Sequence, residues 1–148
     1  MKKLLLLTTL FLAFSCSKDD GENNEENQTF LQKYDGMGFK DEYGEYWYFF
    51  DDTNFMAFVD EYEGIVEECT LIREGQNSHD GVSYNVTIVT NDSNSLVYRL
   101  VSEEDGETYE ETGTFTVNNS GDTLTLTYAE DDFDTYSKVN VSYSSLCN

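Results

Sequence analysis

Three cysteines, one histidine and thirty carboxylates are the groups in this 148-residue chain that could do chemistry. Cys69 and Cys147 make an even pair once Cys16, which ends the leading apolar segment, is set aside. In an oxidising compartment such a pair can form a disulfide, here tying the C-terminal end to a strand in mid-chain; two free buried thiols are the alternative. Closing so long a loop is worth about 4 kcal/mol of chain entropy. His79 stands among Asn77, Ser78, Asp80 and Gly81 and reads as a solvated loop residue. No Cys/His cluster offers a zinc site and no serine or cysteine nucleophile has an obvious base, so the chain reads as a non-enzyme with no cofactor. Asp131, Asp132 and Asp134 could give hard oxygens to calcium, but they lack the glycine and the distant glutamate of an EF-hand loop. A turn kept soluble by charge is the plainer reading. Among so many carboxylates, two acids close together carry no information about acid–base catalysis.

The charge excludes one class of partner. Eight Lys and Arg against 30 Asp and Glu give a formal net charge of −22, and such a surface repels phosphate backbones, so nucleic acid is not an expected partner. Residues Met1 to Ser15 have the form of a secretory signal: Lys2 and Lys3 form a basic end, and Leu4 to Phe14 is an apolar run too short to span a bilayer. The ending Ala13-Phe14-Ser15-Cys16 resembles a bacterial lipobox, with small residues at the third and first positions before the cysteine. That resemblance implies cleavage before Cys16 and acylation of its thiol and new amine; an ordinary signal peptide with an incidental cysteine is the alternative. Several acyl chains at about 0.8 kcal/mol per buried methylene make a firm anchor. Ser17-Lys18-Asp19-Asp20 resembles the lysine-plus-acids tag that sends some Gram-negative lipoproteins to the outer face of the outer membrane. Residues 16–28 then read as a lipidated, flexible, acidic tether leading to one domain over 29–148.

The elements of that domain are written as period-two alternation. In Gly113 to Tyr128, Phe115, Val117, Leu124, Leu126 and Tyr128 alternate with threonines around an Asn118 to Asp122 turn, which predicts a hairpin with one apolar face. The same reasoning predicts a helical turn over Thr29–Tyr34 and strands over Met37–Glu42, Tyr46–Asp51, Asn54–Tyr62, Ile65–Arg73, Val82–Asn91, Ser95–Ser102, Glu107–Val117, Thr123–Glu130 and Tyr136–Tyr143. Short links favour antiparallel neighbours, so the expected fold class is all-β, an up-and-down meander closing into a small barrel, with a β-sandwich as the alternative.

The short helix, then Leu31 and Asp35-Gly36-Met37-Gly38-Phe39, then the strand series ending in a Thr-Leu-Thr-Leu-Thr-Tyr hairpin, resembles the small lipocalin-like domains of bacterial lipoproteins. Phe39 stands where lipocalins usually carry the tryptophan of Gly-x-Trp. The resemblance implies a calyx without identifying a ligand. Tyr46-Trp47-Tyr48-Phe49-Phe50 puts rings on both faces of one strand; its outer face is expected either to lie under the turn around Phe30 and Tyr34 or to form an exposed patch. Phe39, Trp47, Phe49, Val86, Ile88, Tyr98, Phe115 and Leu126 are expected as core first and ligand-lining wall second. The expected function is binding of a small apolar or amphipathic ligand at the cell surface; the alternative is a protein-interaction or structural module whose barrel is filled by its own rings.

Overall fold

The alternation of the Gly113–Tyr128 stretch becomes a hairpin, and its apolar side faces inward. In the computed structural model, which describes residues 28–104, 106–129 and 132–147, α1 (Phe30–Lys33) is followed by ten strands and a closing turn, α2 (Tyr143–Leu146). The strands are β1 (Gly38–Lys40), β2 (Glu45–Phe49), β3 (Met56–Tyr62), β4 (Ile65–Ile72), β5 (Gly75–His79), β6 (Val82–Asn91), β7 (Ser95–Glu104), β8 (Glu107–Val117), β9 (Thr123–Ala129) and β10 (Asp132–Val139). They form one antiparallel sheet in the order β4-β3-β2-β1-β10-β9-β8-β7-β6-β5. Because the first strand pairs with the last, the two free edges belong to β4 and β5, which are consecutive in the chain. The sheet therefore curls into a nearly closed barrel with a single seam. The leader, Cys16 and the tether up to residue 27 lie outside the described residues, as does Asp131.

Asn77 holds the corner where the seam begins. Its buried amide accepts from the Arg73 N–H at 3.1 Å and donates to the carbonyls of Arg73 at 2.8 Å and Gly75 at 2.9 Å. One side chain thus replaces the ladder bonds that β4 and β5 do not make to each other, because a buried backbone group must find some partner.

The barrel interior is filled at the α1 end. Thr29 and Gln32 form a reciprocal capping box, and the turn they start inserts Phe30, Leu31 and Tyr34 into the barrel like a plug. Phe30 meets Phe49 edge-on at 5.1 Å, Tyr34 meets Phe39 at 6.2 Å, and Phe115 sits 5.1 Å from both Phe49 and Trp47. Tyr98 stacks on Phe115 and lies flat over Gly113, its register partner, where a Cβ would collide with the ring. Glycine is needed there for close approach rather than for its dihedral freedom.

The aromatic run is packed on both sides, but the covering of its outer face differs from expectation. Phe30 and Tyr34 cover the inner rings, Trp47 and Phe49 being part of the same buried cluster. Tyr46 and Tyr48, with Ala57 and Val59 of β3, form a second cluster under the C-terminal segment. Tyr48 donates its hydroxyl to the Val141 carbonyl at 2.9 Å, and Tyr143 meets the Tyr48 and Phe50 rings at 5.7 Å. Cys69 on β4 is joined to Cys147, with the two Cα atoms 5.9 Å apart, which pins that segment in place. The strand expected over Tyr136–Tyr143 accordingly runs earlier, over Asp132–Val139, and the chain beyond it turns helical to reach the disulfide.

One strand, β5, has no counterpart among those expected from the sequence. Gly75 to Gly81 reads as a turn, yet Gly75–His79 pairs with β6 from Gly75↔Val86 to His79↔Val82. Gln-Asn-Ser-His has no apolar alternation to announce it; pairing with a long neighbour makes it a strand. His79 is therefore an edge-strand residue, not a loop residue.

Candidate functional site

Where the ladder is interrupted between β4 and β5, the inner face opens into a recess of about 340 Å³. Trp47 of β2 and Phe58 of β3, register partners with rings 5.2 Å apart, form one wall. Thr70 and Ile72 of β4 extend it to the edge, and Tyr84 of β6 closes the opposite side. Glu68 and His79 face each other across the seam, with His79 Nε2 3.3 Å from Glu68 Oε1. Glu68 Oε1 also accepts the Thr70 hydroxyl at 2.6 Å, so both contacts fall on one carboxylate oxygen. His79 has a second acid within reach, Asp80 Oδ2 at 3.6 Å.

Carboxylates gather at this end of the barrel. Glu45 pairs with Asp60, and Asp60 with Glu68, so three acids stand side by side across β2, β3 and β4 with the inward parity of Trp47, Phe58 and Thr70. Like charges directly opposite one another destabilise a sheet. Burial raises the Glu45 carboxyl above its ordinary range, and the charges of Asp41, Asp60 and Asp134 raise it further. Glu61 on the opposite face behaves in the reverse way: hydrogen bonds from Lys40 and Tyr46 hold it below the usual range. Folded Glu45 thus keeps its proton to higher pH than the unfolded chain does, so its contribution to stability is full in acid and is lost as pH rises through the raised folded value. Glu45→Gln is expected to raise stability at pH 7 by about 0.5–1 kcal/mol in urea denaturation, with the gain vanishing in acid. An unchanged or lowered midpoint at pH 7 would contradict this picture of the row.

Tyrosines underlie the acids. Burial pushes the Tyr136 phenol up to about 12; the Trp47 indole opposes the rise, and the charges of Asp134, Glu45 and Asp41 add to it. The Trp47 Nε1–H is buried and has no hydrogen-bond partner among the described residues. Tyr98 and Tyr128 are raised by burial first and then by neighbouring charge, Glu111 being the first such charge at Tyr98. Tyr84 is raised by burial and by Glu68.

Of the eight side chains expected to line a ligand site, Trp47 alone reaches the recess. Phe39, Phe49, Val86, Phe115 and Leu126 are completely buried, Tyr98 is stacked in the same core, and half-buried Ile88 packs against it. They are core because the α1 plug and the Phe side chains occupy the space a calyx would need. Phe58, Glu68, Thr70, Ile72, His79 and Tyr84 escape sequence reasoning, although the alternation of Ile65–Arg73 already puts Glu68, Thr70 and Ile72 on one face. Asp132 and Asp134 stand exposed on β10 with a bulge after Asp132. Among the described residues no group of three or more His, Cys, Asp or Glu is arranged to hold a metal ion, and no helix is long and apolar enough to cross a membrane. Two other hollows lie elsewhere: about 660 Å³ of mixed lining on the outer face between Gln76, Asn85 and Arg99, and about 410 Å³, mainly polar, beside α1 between Lys33, Asn118 and Lys138. In comparisons with known proteins, the chain matches no family model, no curated protein and no solved structure.

Proposed function

We propose that this protein is a lipid-anchored, lipocalin-like barrel on the outer face of the outer membrane that binds a small amphipathic molecule in the seam recess. The observation that carries the reading is the recess itself: walls of Trp47, Phe58, Ile72 and Tyr84 with a polar rim at Thr70, Glu68 and His79. Small-molecule sites pair an apolar lining with a few polar groups that fix orientation. The address rests on the basic and apolar leader and on Ala13-Phe14-Ser15-Cys16 with the acidic tag after it. The completely filled α1 end favours a second reading, a protein-interaction module.

Trp47 is the only tryptophan, so its emission reports on the recess without labelling. Small aromatic probes, for instance benzyl alcohol, are expected to change that emission saturably, and Phe58→Ala to weaken the response. If no probe gives a saturable change, the second reading replaces the first. The intact mass of the mature protein tests the address separately, since an N-terminus at Cys16 without acyl groups is incompatible with it.

A further inference from the structure

We propose that the ligand of the recess is an organic cation, an ammonium group on a small apolar body, which enters at the seam and sets its charge against Glu68. This rests on the reading of the recess as a ligand site and specifies its chemistry. The walls suit a cation: the rings of Trp47, Phe58 and Tyr84 lie within one hollow of about 340 Å³, and aromatic faces attract ammonium groups through their quadrupole. The rim suits it too. Glu68 lines it and ends a register row that runs back through Asp60 to Glu45, and neither lysine nor arginine lines the recess.

The basic side chains of the described residues lie elsewhere. Lys40 is bound to Glu61, Arg99 to Glu110, Arg73 donates to the Gln76 carbonyl, and Lys33 and Lys138 border the hollow beside α1. His79 is the one basic group at the rim, and with Asp80 as a second acceptor it can release Glu68. Both contacts of Glu68 use Oε1, which leaves Oε2 for the ligand. An ammonium group would relieve the like-charge row, whereas an anion would meet both the row and the net charge of −22.

The test uses the full chain and Trp47 emission with three probes that share one ring and differ in charge: benzyltrimethylammonium, benzyl alcohol and benzenesulfonate. The cation is expected to bind about tenfold more tightly than the alcohol, and the sulfonate most weakly. Glu68→Gln is expected to remove about that tenfold preference, read as the ratio of the cation's affinity to that of benzyl alcohol in the same variant; Asp60→Asn gives a smaller loss of the same sign and serves if Glu68→Gln does not fold. Equal or tighter binding of benzyl alcohol, or a cation preference that survives both substitutions, overturns the cation assignment and leaves the ligand site standing. Silence from all three probes overturns both.

Discussion

Phe115→Ala is expected to destabilise the domain by about 3–5 kcal/mol, a large fraction of the roughly 5–15 kcal/mol that holds a domain of this size together. Phe115 is completely buried on β8, faces Leu96 and Leu126 in register on the two adjoining strands, and touches the rings of Trp47, Phe49 and Tyr98. Truncating it removes the transfer free energy of a phenyl ring and opens a void among neighbours that cannot collapse, because they are fixed to three strands, β2, β7 and β9. Urea denaturation measures the loss. Phe133→Ala on β10, more than half exposed, is the control and should stay within about 0.5 kcal/mol. Comparable costs for the two substitutions would mean that the barrel has no packed interior. Trp47 emission should also shift in Phe115→Ala, since the two rings are in contact.

Breaking the disulfide has the second large effect. Cys69 and Cys147 are 78 residues apart, and releasing a loop of that length is expected to cost about 4 kcal/mol. The loss has a local signature as well: freed of its pin, the Tyr143–Leu146 turn no longer holds its place over Tyr46 and Tyr48, and the Tyr48 hydroxyl loses its bond to Val141. Replacing both cysteines by serine should lower the urea midpoint and speed amide exchange in β2 and in the C-terminal segment, leaving β6 to β9 protected. Each single replacement should cost at least as much as the pair. Two thiols that label under denaturing conditions without reductant, or a midpoint indifferent to reductant, would refute the bridge.

How much of this is legible in the sequence depends on whether a residue's fate is set by its neighbours along the chain. The strand Val82–Asn91 is legible to the residue because Val82, Tyr84, Val86 and Ile88 alternate with polar residues, and Glu107–Val117 because turn signals bound it and its C-terminal end alternates around Phe115 and Val117. The pairing of Cys69 with Cys147 is legible from cysteine arithmetic and stays open only against free thiols. β5 is not legible, for its residues carry no apolar pattern and its strand conformation comes from pairing with β6. Nor is the seam recess, whose wall gathers residues from five strands.

By itself, then, the amino-acid sequence determined an all-β meander, its inward and outward faces, and a strongly anionic surface. Those properties repeat every second residue or sum over the chain, so no distant contact is needed to read them. The tertiary structure alone decided that the first strand joins the last, that the C-terminal segment and not the Phe30 turn covers the outer rings, and that aromatic side chains fill one end of the barrel while Glu45, Asp60 and Glu68 line the other. Closure, covering and filling each depend on volume and register between segments far apart in the chain, and alternation along one strand is blind to both.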